Sequence, residues 1–326
     1  MRILVIGRNE VLYAAAEYLS REHTIAAIMT APAAPEYSKT EKDFESLARK
    51  LNCPFLLSRR IDTKALDLIR SVKADVGIST NWVSVIGKDA MDLIPRGILN
   101  CHPGDLPHYK GNSATNWAIV MGEKHMKITV HLMQAGELDS GNILVQKKVR
   151  IRDDTTIQDL NRIWLESSPR MFADALALLK KNNRGKKQDS KTGFRVYPRL
   201  PEYSKIDWTT SARKIHNLIR ASTKPYSGAY TYLKINGEIR KLLIWESEII
   251  TEKTNDIGIP GHVIFNNTAT GESHIYTGKG IIALKRVQFD GDEEFRPGCE
   301  WKSIRMRFGI DIEQELIELN KLLKSK

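Results

Sequence analysis

Along the first part of the chain, short apolar runs alternate with stretches of helical spacing. Residues 2–7 (RILVIG) are an apolar run closing on glycine, Tyr13, Ala16 and Leu19 then recur at helical intervals, and residues 25–29 are apolar again. Short apolar runs bounded by turn formers predict strands, and a recurrence of three to four residues predicts a helix with one buried face. Helices are likewise predicted near 42–51 and 64–72, and strands at 55–57 and 75–79. This alternation implies an α/β fold built on a Rossmann-like, mostly parallel sheet, with the helices serving as crossovers on its two faces.

Further strands are predicted at 97–102 (GILNCH), 127–134 (KITVHLMQ) and 142–151 (NILVQKKVRI), with a helix at 113–121 and a long closing helix at 156–180. The pattern changes after residue 205. Residues 211–222 are amphipathic, with Ile215, Leu218 and Ile219 on one face, and short apolar runs follow at 229–233, 242–249, 262–265, 274–276 and 281–289. Gly, Asn and Asp clusters separate them, which predicts a small antiparallel, barrel-like (OB-like) domain. A terminal helix is predicted at 312–323. Between the halves, residues 180–199 carry eight basic residues against one acid, Asp189, without a hydrophobic period. Such a stretch reads as a solvated linker or as a strip facing a polyanion. The expected organisation is a catalytic domain at 1–182, a basic linker at 183–205 and a C-terminal domain at 206–326.

Composition narrows the functional classes. A chain of 326 residues is long enough for two cores, and 41% hydrophobic with 27% charged residues is the balance of a globular enzyme. No run approaches the roughly 18 apolar residues of a membrane span, and the N-terminus reads as a strand rather than a signal peptide. A cytoplasmic protein with no membrane partner is expected. Cys53, Cys101 and Cys299 are far apart and form no CxxC pair, so neither a disulfide framework nor a metal site is expected. The net charge of +11 is compatible with nucleic acid, phosphorylated substrates or solubility alone. Only Gly7 follows the first strand where a dinucleotide loop carries three glycines, which argues against a nicotinamide cofactor.

The candidate chemistry lies where later strands end. Asn100 and His102 are two apart on a predicted strand, so their side chains share a face while Cys101 points to the other. An amide beside an imidazole suits acyl transfer, because the amide can donate to a developing oxyanion while the imidazole handles a proton. A turn-rich loop, Pro103 to Gly111, follows directly, and Asp139 sits between Gly136 and Gly141 after the next strand. If strand 127–134 lies beside 97–102, Asp139 reaches the same end as Asn100 and His102. Each residue also has a plain structural reading: Asp139 as a turn cap, His102 as a hydrogen-bonded buried imidazole. A Cys101 thiol nucleophile is a rival mechanism that alternation along the strand disfavours.

NCHPGDLPHYKGNSATNWAI, followed by VHLMQAGELDSGNIL, resembles the signature region of the folate-dependent formyltransferases. The resemblance extends over nearly the whole chain and implies Asn100, His102 and Asp139 as the catalytic residues. It also implies 10-formyltetrahydrofolate as co-substrate, with the pteridine against the backbone of Thr80, Asn81, Trp82 and Val83 and with Gly136 and Leu138 alongside. No metal is required.

The acceptor amine is less constrained. PEYSKIDWTTSARKIHNLIRASTKPYSGAYTYL, through Ile206-Asp207-Trp208, His216-Asn217 and Lys224-Pro225-Tyr226, is similar to the nucleotide-sugar formyltransferases, particularly those acting on UDP-4-amino-4-deoxyarabinose. That likeness implies a nucleotide-linked amino sugar used in surface polysaccharide. Tyr109, Lys110, Asn112 and Asn116 are the candidate sugar contacts, Lys110 for the pyrophosphate. Trp117 and Ile119 read equally as helix core. The alternative is methionyl-tRNA formylation. A non-catalytic RNA-binding protein is a second rival, which the three catalytic candidates disfavour. A homodimer is left open.

Overall fold

The computed structural model describes residues 1–324 apart from Ser190, Asn236 and Asp311. Ser190 falls in the predicted linker, and Asn236, Asp311, Ser325 and Lys326 in the predicted C-terminal domain; these five lie outside the described residues. The chain forms two units. The first comprises Met1–Ala118, Glu123–Arg152 and Asp159–Pro198, and the second Ile119–Gly122, Asp153–Gln158 and Arg199–Lys326.

In the first unit the predicted alternation appears as β1 (Arg2–Gly7), α1 (Glu10–Leu19), β2 (Thr24–Thr30), α2 (Glu41–Lys50), β3 (Phe55–Leu57), α3 (Thr63–Val72) and β4 (Val76–Thr80). A short α4 (Lys88–Asp92), which hydrophobic spacing alone does not signal, precedes β5 (Ile98–His102). Then come β6 (Lys110–Gly111), α5 (Ala114–Val120), β7 (His125–Leu132), β8 (Ile143–Arg150), α6 (Ile157–Lys180) and β9 (Arg195–Val196). The main sheet has the order β3-β2-β1-β4-β5-β7-β8. Its first five strands pair in parallel, and β7 and β8 pair antiparallel.

Helix starts follow local chemistry. Asn9 caps α1 by accepting from Leu12 N, Asp62 caps α3 by accepting from Ala65 N, and Thr40 with Asp43 forms a capping box on α2. The helices bury their apolar stripes: Val11, Leu12, Ala15, Ala16 and Leu19 of α1 and Phe44, Leu47 and Ala48 of α2 are all buried. The strand order reverses between β1 and β4, and there the lone Gly7 has a packing reason. A side chain at Gly7 would meet Thr80 O at 2.1 Å, so glycine lets the ends of two strands close on each other.

The stretch expected to be a linker divides near Pro198, and its first part belongs to the first unit. Lys186 exchanges backbone hydrogen bonds with Ile143, and β9 pairs in parallel with β6. Composition is a poor guide here because these contacts are made by backbone and amide groups and leave no hydrophobic period.

The second unit contains α7 (Ala212–Ser222), β10 (Ala229–Ile235), β11 (Glu238–Thr251), β12 (Val263–Asn267), β13 (Glu272–Tyr276), β14 (Ile281–Phe289), β15 (Glu294–Phe295), α8 (Pro297–Glu300) and α9 (Ile312–Lys324). As predicted, the strands form one antiparallel sheet, in the order β10-β11-β14-β13-β12 with β15 on β14. Register shifts along the β11–β14 ladder supply the bends by which such a sheet coils. Ile215 and Ile219 of α7 enter a core with Trp208, Leu242, Ile282 and Phe308. Among the described residues no helix is long and apolar enough to cross a membrane.

Candidate active site

Strand β5 sets out the first two groups. Asn100 and His102 occupy one face of the sheet, and Cys101 occupies the other, where its thiol lies 3.3 Å from Ser168 Oγ. Across the ladder Asn100 is paired with His131 of β7, which brings a second imidazole to the same face. The antiparallel direction of β7 leaves its last residue, Leu132, beside Leu99, so strand ends alone do not carry Asp139 to the site. The loop after β7 turns back instead: Met133 N donates to Ile98 O, and Leu132 N donates to Asn142 O on the return. Gly141 is required in that turn, because a side chain there would meet Leu132 O at 1.8 Å.

The returning loop lays the Asp139 carboxylate over the sheet face. Its Oδ1 lies 3.3 Å from Asn100 Nδ2 and 3.4 Å from His131 Nε2, while Oδ2 accepts from Gly111 N at 2.9 Å and lies 3.7 Å from His102 Nδ1. Asp139, His102 and His131 are all buried. Burial by itself pushes the Asp139 carboxyl up, but the charge of His102, the bond and charge of His131 and the Gly111 N–H outweigh it and hold the group well below the ordinary carboxylate range. The centre therefore keeps a buried anion between two imidazoles and an amide.

Hydrogen-bond partners fix the roles of the nitrogens. His102 Nε2 is 2.7 Å from Tyr109 O, an obligate acceptor, so Nε2 carries a proton and Nδ1 is the nitrogen that faces Asp139. His131 Nδ1 donates to Leu132 O at 2.8 Å, and its Nε2 faces both Asn100 Nδ2 at 3.1 Å and Asp139 Oδ1 at 3.4 Å. Asn100 must then present its NH2 to His131 and Asp139, since its oxygen in that place would oppose the carboxylate. The loop after β5 is pinned by Thr115 Oγ1 to Pro103 O, Thr129 Oγ1 to Gly104 O and Gln146 Nε2 to Leu106 O.

Asn100, His102 and Asp139 thus converge, and His131 joins them without having been singled out in the sequence. Its signal was a second histidine on the polar face of β7, where His125, Lys127, Thr129 and His131 alternate with apolar residues. Gly136, with positive φ, and the exposed Leu138 lie on the loop that carries Asp139. Tyr109 is placed as a support: its carbonyl binds His102, its hydroxyl donates to Glu123 at 2.7 Å, and its ring packs on Phe194 with centroids 4.7 Å apart. Lys110 Nζ is 3.7 Å from Glu137, Asn112 is exposed, and Asn116 is buried on α5. Thr80 is buried with its hydroxyl bonded to Asn9 Oδ1 and Arg8 O. Asn81 donates to the Tyr37 hydroxyl, Trp82 packs against the core of the sheet, and Val83 is exposed.

The thiol alternative does not survive this geometry. Burial pushes the Cys101 thiol up to about 11, and it sits on the face opposite the carboxylate. Cys101→Ala is expected to keep kcat within about twofold while lowering stability by about 1 kcal/mol for the small void. Steady-state rates and thermal melting of the variant check both values.

Residues 1–176 match the formyl transferase family, and residues 200–299 match its C-terminal domain. The chain belongs to the formyltransferase family. This formyltransferase is 28% identical over 295 residues to the methionyl-tRNA formyltransferase of Clostridium tetani, covering 89% of this chain and 92% of that one. It is also 32% identical over 220 residues to the bifunctional polymyxin resistance protein ArnA of Wigglesworthia glossinidia brevipalpis, covering 65% of this chain and 33% of that protein. Among solved structures, the N-formyltransferase of Helicobacter canadensis in complex with folinic acid and dTDP-3-aminofucose has a TM-score of 0.66 at 18% identity, covering 87% of this chain and 98% of that one. The last likeness is one of fold.

Proposed function

We propose that this formyltransferase moves a formyl group from 10-formyltetrahydrofolate to the amine of a nucleotide-linked amino sugar of the kind used in surface polysaccharide. The observation that carries the reading is the meeting of Asn100, His102 and Asp139 on one sheet face, with Asp139 held as an anion. The fold likeness to an N-formyltransferase crystallised with folinic acid and dTDP-3-aminofucose supports the donor and the acceptor class.

In this reading the acceptor amine attacks the formyl carbon and a C–N bond forms. Asn100 Nδ2 exchanges its longer contact, the 3.3 Å one to Asp139, for the developing oxyanion. His102 Nδ1 takes the proton released by the attacking nitrogen, and Asp139 stabilises the resulting imidazolium across the 3.7 Å gap. Collapse of the tetrahedral intermediate breaks the bond to N10 of the folate, which receives the proton. Thr80–Val83, Gly136 and Leu138 are proposed to flank the folate, and Lys110, Asn112 and Asn116 the acceptor.

The second reading is methionyl-tRNA formylation, favoured by a relative that aligns over 89% of the chain. Against it stands the loop between β2 and α2, whose one lysine, Lys39, pairs with Asp43 at 3.1 Å, while Arg8 from the end of β1 lies 5.2 Å over the loop's Tyr37 ring. A surface neutralised in this way is a poor phosphate clamp. The readings separate when the protein is supplied with 10-formyltetrahydrofolate and, in parallel, a panel of nucleotide amino sugars and methionyl-tRNA. Sugar formylation predicts a mass gain of one formyl group on a sugar and a rate that changes less than about threefold between 50 and 200 mM salt, where a tRNA enzyme loses affinity by orders of magnitude. A gain on tRNA alone rejects the sugar reading.

A further inference from the structure

The buried side chain closest to the reactive loop, yet outside the described chemistry, belongs to the basic stretch after α6. Gln188 is 7% exposed, and its Nε2 donates to Asp139 O at 2.8 Å and to Gly141 O at 2.7 Å. Both partners are carbonyl oxygens, so the NH2 end of the amide must face them. A reversed amide would set oxygen against two oxygens. Asp139 has a φ of +53°, a left-handed conformation that a non-glycine residue holds only where its surroundings enforce it. Gln188 bridges the carbonyl of this residue and that of Gly141, two residues on.

The same stretch reaches the carboxylate from the other side. Gly111 N, which donates to Asp139 Oδ2, sits in the ribbon that β6 makes with β9, where Lys110 N donates to Phe194 O and Asn112 N to Val196 O. Lys186 is fixed to Ile143 by two backbone bonds of 2.8 Å. Residues 186–188 and 193–196 therefore hold Asp139 at two points, its main chain through Gln188 and its side chain through Gly111. A positively charged stretch with no hydrophobic period thus contains a built support.

We infer that this stretch is a strap for the reaction centre and that Gln188 is a positioning residue for Asp139, acting through the loop and not on substrate. The inference rests on the reading of Asp139 as the carboxylate of the reaction. Its consequence for rate follows from geometry: displacing a reacting constellation by about 1 Å costs on the order of 10²-fold in turnover, with little change in ground-state binding.

The test uses the full-length protein with Gln188→Met, which keeps the volume and removes both donors, and Gln188→Glu, which keeps the shape and sets oxygen against the two carbonyls. Each is made alone and with Asp139→Asn, and formyl transfer is measured with the acceptor that responds in the panel above. Gln188→Met is expected to lower kcat by about 10- to 100-fold with KM for the folate within about twofold, and to add nothing in the Asp139→Asn background. Unchanged kcat, or a loss that multiplies with that of Asp139→Asn, overturns the strap. If Gln188→Met does not fold, the same criteria apply to Gln188→Glu.

A second readout needs no turnover. In protein labelled with 13C at aspartate carboxyls, loosening the loop is expected to move the Asp139 titration upward, toward the ordinary value, because the contacts that hold it low are lost. An Asp139 carboxyl that titrates as in the parent protein overturns the inference. Normal turnover in Asp139→Asn removes Asp139 from the chemistry instead, and the carboxyl titration then decides the positioning role by itself.

Discussion

Asp139→Asn is expected to lower kcat by about 10³- to 10⁴-fold, the scale seen when a buried carboxylate that orients a catalytic imidazole becomes an amide. The geometry says why. The amide oxygen must stay where Oδ2 accepts from Gly111 N, which puts the new NH2 in the place of Oδ1, 3.3 Å from the Asn100 NH2. Two donors then face each other, and His102 loses the anion that stabilises its protonated form. The fold is expected to persist because shape is conserved, with Tm lowered by several degrees because the contacts that hold the carboxyl ionised are lost. Stopped-flow or steady-state rates beside a melting curve test both halves. A variant within about tenfold of the parent rate contradicts the assigned role.

Asn100→Ala is expected to cost about 10²- to 10³-fold in kcat, or roughly 3–4 kcal/mol of transition-state stabilisation, the range for removing one oxyanion donor. The donor acts on charge that develops only after attack, so KM for the folate is expected to stay within about threefold. Asn100 also fills the space between His131 Nε2 and Asp139 Oδ1, at 3.1 and 3.3 Å. Part of the loss therefore reflects a reorganised centre. A large rise in KM with kcat preserved would mean that Asn100 binds the ground state rather than the oxyanion.

Much of the first unit was legible because its elements announce themselves by period. Runs such as 2–7 and 25–29 became β1 and β2, and Asn100 and His102 were set on one face by alternation alone. What escaped had no period to read. The route of Asp139 depends on the antiparallel register of β7 and on a loop that doubles back, both fixed by backbone bonds. His131 entered through a cross-strand pairing, a long-range relation. Tyr109, expected to meet substrate because it lies in the signature loop, also has supporting contacts that no period announces, its carbonyl on His102 and its hydroxyl on Glu123. The charge of residues 180–199 suggested solvent, and charge says nothing of the amide of Gln188 or the backbone pairing of β9. The antiparallel second unit was readable from its turn clusters, as far as sheet type and the buried face of α7.

The central claim is that an amide, an imidazole and a carboxylate from three separate segments surround one reactive carbon. A crystal structure of the protein with an N10-formyl folate analogue, in the absence of the acceptor amine, measures this directly. The account predicts the formyl oxygen within hydrogen-bond reach of Asn100 Nδ2 and room for one amine nitrogen between the formyl carbon and His102 Nδ1, with Asp139 still bonded to Gly111. A folate bound elsewhere, or a formyl group turned away from these atoms while the pteridine is fully seated, contradicts it.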